Sequence, residues 1–455
     1  MSPPTPPAGA PAPSVEMSFD EALRMAMSLH REMRLDGAEA LYRRLLQLVP
    51  EDANTRHFLG MLLYQRGRPA ERDEAIGLMT ASVQADPTVA AWHNNLGNAL
   101  LEGHEHEAAA LAYQRCIDLD PRNVEALNNQ GCLLRGLGRL AEAEASFLAA
   151  LAINPDLHNV HANYAMLLAG VKRVPEAQQH YLRSLELQPI NPVVSKLLGV
   201  MYAQTGQLDK AAEIFRTWIE KEPDSVQAHH HLAAVTGQAV PERAADAYVT
   251  DVFDHFATSF DERLTMLGYQ APRLVGEALA QRLGPAAATR DIVDAGAGTG
   301  LCAPWLLPYA RQLVGVDLSP GMLHQAGRRG GYHALECAEL VAWLQAHPGS
   351  ADVVVSADTL CYFGVLDGAL TASFGALRPG GWLIFTVESL GEDDAHRLQP
   401  HGRYSHGRAY VLRTLAQAGF VDLAAQPVEL RKEGGKAVQG WLVSAQRPAA
   451  DHPAP

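Results

Sequence analysis

The apolar positions in the first half of the chain recur with a period of 34 residues. Large apolar or aromatic side chains stand at Met79, Tyr113, Phe147, Tyr181 and Phe215. Each lies four residues after an alanine (Ala75, Ala109, Ala143, Ala177, Ala211) and eight before a proline (Pro87, Pro121, Pro155, Pro189, Pro223). A small residue precedes each set: Gly60, Gly97, Gly131, Ala165 and Gly199. This pattern predicts helix pairs in which small residues let two helices cross closely, the large ring fills the gap and proline stops the second helix. Ala38, Tyr42 and Pro50 mark an earlier unit, and the 37-residue interval from Pro50 to Pro87 places about three inserted residues within 67–73. The register predicts six units followed by a closing helix from about Ser225 to Gly237.

The period changes in the second half. Short apolar runs at 291–294, 312–317, 332–336, 351–356, 382–388, 421–430 and 438–445 alternate with helical segments near 301–308, 320–328, 338–346, 367–377 and 408–418. Strands alternating with helices predict a parallel sheet, here of seven strands with the last two as a reversed hairpin. Between the halves, Phe253, Phe256 and Phe260 fall on one helix face, and Phe253 and Phe256 read as a core-facing stripe.

A 34-residue helical period resembles the tetratricopeptide repeat, whose solenoids present a concave face to another polypeptide. Asn95, Asn129 and Asn163 recur on this period, and Asn94-Asn95-Leu96-Gly97-Asn98-Ala99-Leu100 resembles the repeats of the O-linked N-acetylglucosamine transferase. That resemblance implies an asparagine ladder gripping an extended peptide backbone, since an amide donates to and accepts from one peptide unit. A protein or peptide on the concave face is the expected partner.

Composition narrows the remaining options. The chain has 455 residues, enough for two or three domains, and a formal charge of −14, which disfavours nucleic acid and anionic membrane as partners. Five scattered cysteines without CxxC spacing suit a reducing, cytoplasmic setting and no zinc site. The neighbours His229, His230 and His231 point in different directions from one helix, so no metal is expected there. The expected boundaries are a Pro/Ala-rich disordered leader at 1–16, a repeat array at 17–240, an α/β domain at 241–447 and a disordered tail at 448–455.

The chemistry concentrates in Asp294-Ala295-Gly296-Ala297-Gly298-Thr299-Gly300, followed 17 residues later by Asp317. Glycines let a strand turn sharply into a helix and let a ligand lie against backbone, and an acid at the tip of the second strand accepts from ribose hydroxyls. The spacing is GxGxG with an acidic prefix, not the dinucleotide GxGxxG. A carboxylate at Asp294 would repel pyrophosphate and suits a cofactor with a positive amino group, such as S-adenosylmethionine. With Leu377-Arg378-Pro379-Gly380-Gly381 as the turn into the fifth strand, the second half resembles class I methyltransferases with a Rossmann-like sheet.

That resemblance implies that Asp294, Gly296, Gly298 and Gly300 surround the methionine part and sugar, and that Asp317 holds the ribose. Leu318 and Met322 would pack the adenine, and Ala338 and Glu339 would read its edge through a backbone N–H and a carboxylate. Cys337 stands where an acid is usual, with Glu336 or Glu339 as substitutes. Helices before the glycine motif would fold over the cofactor, making Phe260 and Tyr269 lid residues. Asp358 to Gly364, with Asp358 and Tyr362, would line the methyl-transfer site. In the polar loop Gly402-Arg403-Tyr404-Ser405-His406, His406 is the candidate base and Arg403 a carboxylate holder. The Phe253-Asp254, Ala257 and Phe260-Asp261 stretch makes residues 17–445 similar to tetratricopeptide-repeat methyltransferases, a bacterial group of mostly unassigned acceptors. No (D/N)PPY segment is present and Cys361 lacks a preceding proline, which disfavours amide, base-amine and covalent pyrimidine chemistry. An enzyme whose repeats recruit a partner, a scaffold that binds cofactor without turnover, and a small-carboxylate methyltransferase with repeats for oligomerisation remain as readings.

Overall fold

A computed structural model describes residues 17–393 and 395–449. The expected leader (1–16) and the tail from 450 lie outside these residues. The chain divides into two compact units, 1–194 and 195–455.

The first unit consists of antiparallel helix pairs. Phe19–Arg31 pairs with Leu35–Leu48, Ala53–Arg66 with Arg72–Ala85, Ala90–Glu102 with His106–Leu119, Val124–Gly136 with Leu140–Ile153, and His158–Gly170 with Val174–Leu187. Each second helix ends two residues before its proline. The small residues sit where expected: a Cβ on Gly97 would lie 2.6 Å from the Tyr113 ring, and one on Gly131 2.6 Å from the Phe147 ring. Tyr42, Met79, Tyr113 and Phe147 are fully buried in these gaps. The insertion after Gly67 is a turn of 3-10 helix, Pro69–Glu71.

The boundary falls in the first turn of the sixth pair, Pro192–Gln204 and Leu208–Lys221, which the closing helix Val226–Thr236 follows. Two lid helices follow, Asp246–Asp254 and Phe260–Met266, then Ala271–Leu283 and the sheet. The strands are β1 (Arg290–Ala295), β2 (Ala310–Asp317), β3 (Ala334–Cys337), β4 (Ala351–Ser356), β5 (Leu377–Ser389), β6 (His396–Leu398), β7 (Tyr404–His406), β8 (Val421–Glu433) and β9 (Lys436–Gln446). The seven expected strands run β3-β2-β1-β4-β5-β9-β8, parallel through β5, with β9 antiparallel to β5 and β8 antiparallel to β9. This is a Rossmann-like α/β sheet, and apolar clusters cover both of its faces.

Two features differ from expectation. Residues 402–406, expected as a loop, contribute β7, which pairs with β6 and, at Glu388 and Ser389, with the end of β5. Strands of three residues are too short to show alternation. The helix expected at 301–308 is one turn, Ala303–Leu306, because the glycine turn occupies its start.

Candidate active site

The site begins where β1 ends. Gly296, Gly298 and Gly300 adopt φ of +88°, +54° and +84°, which only glycine takes without strain, and a Cβ on Gly296 would overlap the Thr359 side chain. The turn satisfies its own amides. Gly296 and Ala297 N–H donate to the Val316 carbonyl, Gly300 N–H to the Ala297 carbonyl, and Gly298 N–H to Asp317 Oδ2 at 2.8 Å. Asp317 Oδ1 accepts from Ser319 N–H at 2.9 Å. A phosphate cradle needs free N–H groups; this turn has given four of them to the protein, one to a carboxylate.

A cavity of ≈310 Å³ opens over the turn, within the range of small-molecule sites. Gly296, Gly298, Asp317, Leu318, Met322, Ala338, Glu339, Asp358, Tyr362 and Arg403 all line it. Asp294, Gly300 and His406 do not line it. Asp294 is wholly buried behind the turn; its Oδ2 accepts from the Tyr332 hydroxyl at 2.6 Å and its Oδ1 has no partner. Burial pushes its pKa up to about 7. The expected contact of its charge with a ligand is therefore corrected: Asp294 is turned toward Tyr332, and the amides taken up within the turn are what disfavour pyrophosphate. The Ala338 N–H donates to the Asp317 carbonyl, and the Glu339 carboxylate caps the helix Leu340–Ala346. Both residues wall the cavity with their expected polar groups already engaged. Glu336 accepts from Trp343 Nε1, and Cys337 is exposed.

His406 is fully buried, with Nε2 3.2 Å from the Gly364 carbonyl oxygen. The ring does not line the cavity, and burial lowers its pKa to about 4, a weak base, both of which argue against the expected base there. Arg403 lines the cavity, yet its Nε donates to Glu388 at 2.6 Å and its Nη2 to Glu433 at 2.7 Å. Its charge is matched by protein carboxylates, which argues against the expected grip on a ligand carboxylate.

Asp358 is an acid with an unpartnered oxygen and, unlike Asp294, also lines the cavity. It follows β4 with φ +58°, a left-handed conformation that Asp and Asn tolerate better than most residues. Its Oδ2 accepts from Arg431 Nη1 at 2.6 Å, and its Oδ1 is buried without a partner. Burial raises its pKa, Arg431 opposes this, and Glu388 adds to it. Arg431 also pairs with Glu388 and Glu433, so three carboxylates share two guanidiniums at this end of the cavity. Burial works to raise the Glu388 pKa, but Arg403, His401 and Arg431 outweigh it and hold the group below the usual range. Sequence reasoning missed Glu388, Arg431 and Glu433. A β-bulge between Glu429 and Arg431 breaks the alternation of β8, so that Leu430 and Arg431 are both buried.

The lid helices roof the cavity. Phe253, Phe256, Phe260 and Tyr269 all line it, which corrects the reading of Phe253 and Phe256 as core stripe. Phe253 meets Phe260 and Tyr362 edge-on at 5.8 and 5.5 Å. The aspartates next to the phenylalanines fasten the roof. Asp254 accepts from the Ser319 hydroxyl and from Gly321 N–H. Asp261 accepts from the Thr299 hydroxyl at 2.5 Å and pairs with Arg329. Each Phe-Asp pair thus turns a ring toward the cavity and a carboxylate onto residues beside the glycine turn and Asp317.

In the repeats, the three asparagines are half-buried and bond sideways. Asn95 Nδ2 lies 3.2 Å from His57 Nε2, Asn129 Nδ2 donates to Asn98 at 3.0 Å and Asn94 at 3.3 Å, and Asn163 Nδ2 donates to Asn128 at 2.9 Å. Their donors serve the neighbouring repeat. Of the three histidines, His229 bonds the Pro223 carbonyl, His230 the Gly402 carbonyl, and His231 stacks on Phe215. Among the described residues no cluster has metal-ligand geometry, and no helix is long and apolar enough to cross a membrane.

Known proteins share these parts. Residues 293–385 match the family described as "Methyltransferase domain", and residues 70–123, 94–158 and 165–226 match "Tetratricopeptide repeat". Methyltransferase-like protein 27 of Homo sapiens is 33% identical over 198 residues, 43% of this chain and 76% of that protein. The malonyl-(acyl-carrier protein) O-methyltransferase of Serratia marcescens is 24% identical over 143 residues, 31% of this chain and 53% of that protein. A solved structure titled "Functional Characterization of Pseudomonas Aeruginosa pilF" is 20% identical with a TM-score of 0.41, covering 47% of this chain and 96% of that one.

Proposed function

Because the chain belongs to the class I methyltransferases that carry tetratricopeptide repeats, we propose that it transfers a methyl group from S-adenosylmethionine to an oxygen or nitrogen acceptor, with Asp358 accepting the proton. The observation that carries this reading is Asp358, a lining residue of the cavity that Asp317 also lines, whose Oδ1 is buried without a partner.

The residues fit the cofactor. The amides spent inside the glycine turn suit a nucleoside without phosphates. The Asp317 carboxylate accepts backbone N–H groups of Gly298, Ser319 and Leu318, three of the about four bonds a carboxylate can accept, which leaves capacity for a ribose hydroxyl. Met322 and Leu318 give the base an apolar wall. S-adenosylmethionine, when bound, supplies the electrophilic methyl group. The protein's part is positioning, exclusion of water and proton removal. The phenylalanine lid excludes water. Arg431 holds one Asp358 oxygen and leaves the other without a partner, and burial raises the pKa of that carboxylate toward a value at which it can take a proton. An oxygen acceptor is favoured by this base and by the O-methyltransferase named among the relatives, of which the chain spans about half.

In the same reading the repeats recruit a protein or peptide substrate or partner. The side-chain oxygens of Asn95, Asn129 and Asn163 would accept from an extended backbone while their amide nitrogens tie the repeats together. The site favours an enzyme over a cofactor-binding scaffold, because a scaffold has no use for an unpartnered buried acid in the cavity wall.

The test is calorimetry with S-adenosylmethionine, followed by tritiated-methyl transfer into fractionated lysate. Binding with label appearing in one acceptor class is expected. Binding without transfer to any fraction would replace this reading with the scaffold, and absence of binding would remove both.

A further inference from the structure

The β6–β7 hairpin meets the closing helix Val226–Thr236 and sends Arg403 to the cavity wall. Its turn packs on the closing helix, where His230, 4% exposed, places Nε2 2.9 Å from the Gly402 carbonyl oxygen. The His230 ring is covered by Tyr248 of the first lid helix, with centroids 4.1 Å apart. Gly402 has φ +92°, and a Cβ there would collide with the Tyr248 hydroxyl and lie 3.2 Å from His231 Cε1. His231 in turn stacks on Phe215 of the sixth pair at 5.3 Å. Tyr404, fully buried, packs with Ala233 and Leu398 and donates to the Pro241 carbonyl at 2.6 Å. The next residue after Gly402 is Arg403, which holds Glu388; Glu388 holds Arg431, and Arg431 holds Asp358. The hairpin's ladder to the sheet is short, at Glu388 and Ser389, with Trp441 Nε1 donating to the His406 carbonyl beside it, so the turn that carries Arg403 draws its other support from the closing helix.

We propose that the closing helix of the repeat array is a built part of the catalytic site, with His230 as a positioning residue that fixes Arg403 through the Gly402 carbonyl and thereby sets the Asp358 carboxylate. This rests on the reading of Asp358 as proton acceptor. The array is then more than an adaptor joined to an independent enzyme. Its last helix, with Tyr248 of the lid, braces the acceptor end of the cavity whether or not a partner is bound.

The experiment compares full-length wild type with His230→Ala and His230→Gln, because glutamine offers an N–H at a reach close to that of histidine Nε2. Amide hydrogen exchange reads the hairpin, and calorimetry gives the affinities for S-adenosylmethionine and S-adenosylhomocysteine, which differ in charge at sulfur. In His230→Ala, exchange at 399–406 should rise about tenfold or more while β1, β2 and β4 stay protected. The preference for the charged ligand should fall with it, and His230→Gln should restore both. A folded His230→Ala with wild-type exchange and preference overturns the proposal, as does a His230→Gln as impaired as the alanine variant. Should the alanine variant show no native melting transition, His230→Gln decides: wild-type exchange and preference support the joint, and their loss refutes it. Wild-type protein that binds neither ligand would instead remove the cofactor reading beneath the proposal.

Discussion

Replacing Asp358 by Asn isolates the charge and basicity of one side chain with little else changed. Asn tolerates the left-handed φ of +58° as Asp does, so the backbone gains no strain. Its amide oxygen can still accept from Arg431 Nη1, the bond now made by Oδ2 at 2.6 Å. What disappears is the free oxygen that takes a proton and the surplus negative charge of three carboxylates over two guanidiniums. A positioned general base contributes roughly 10²–10⁴ in rate, so methyl transfer should fall by that factor. The charge has a separate readout. A compact cavity of ≈310 Å³ spans roughly 8 Å, and a carboxylate on its wall attracts a cation across it by about 2 kcal/mol at an effective dielectric near 20. Wild type should therefore prefer S-adenosylmethionine to neutral S-adenosylhomocysteine by about 30-fold more than the variant does. Calorimetry with both ligands and single-turnover tritium transfer measure the two effects, with thermal melting as the control for folding. Because burial raises the Asp358 pKa, wild-type transfer should climb with pH through a value above the ordinary carboxylate range, and the variant should lose that limb. If the variant keeps transfer within threefold of wild type, or keeps the ligand preference, Asp358 is not the base.

Three further outcomes test other parts. Asp294 has its folded pKa raised from 3.8 to about 7, so it favours folding below pH 4 and that contribution is lost as pH rises through 7. The loss amounts to about 4 kcal/mol, and Asp294→Asn should flatten the stability–pH curve over this window in urea titrations. Gly131→Ala drives a Cβ to 2.6 Å from the Phe147 ring and should destabilise the array by about 1–3 kcal/mol, whereas Gly136→Ala in the same helix meets nothing within 4 Å and should be neutral or slightly stabilising. Circular dichroism of urea unfolding separates them, and equal effects would contradict the packing described. Asn129→Ala removes bonds to Asn94 and Asn98 and should cost the array about 1–2 kcal/mol, so loss of peptide binding in an asparagine variant counts only if the melting temperature is matched.

Legibility followed the range over which each residue's role is decided. The repeats were readable because Gly97 and Tyr113 act within one helix pair, so their spacing is the geometry. The glycine turn and Asp317 were readable for the same reason, lying on adjacent strands joined by one crossover. Asp294 misled because its type was visible and its direction was not: Tyr332, 38 residues on, decides where its carboxylate points. Phe253 and Phe256 lie on an amphipathic face that buries equally well against a core or a ligand, and periodicity cannot tell these apart. Arg431 was hidden by the bulge, since an alternating strand would have sent it or Leu430 to solvent. Glu388 closes an apolar run and resembles a strand end meeting water, yet β7 and the Arg403 side chain cover it.

The buried charges at the acceptor end call for a reason beyond stability. Ion pairs withdrawn from water seldom outperform apolar packing of the same volume, because desolvation offsets most of the attraction. Arg431 and Glu388 have side chains only 4% exposed, so a purely structural joint between β5, β8 and the hairpin would be served as well by leucine and methionine. Apolar packing could not hold one carboxylate oxygen of Asp358 while leaving the other without a partner. In the proposed reading the arginines are the frame for that acid. The same frame, extended through Gly402 to His230, makes the last helix of the repeats one of its supports.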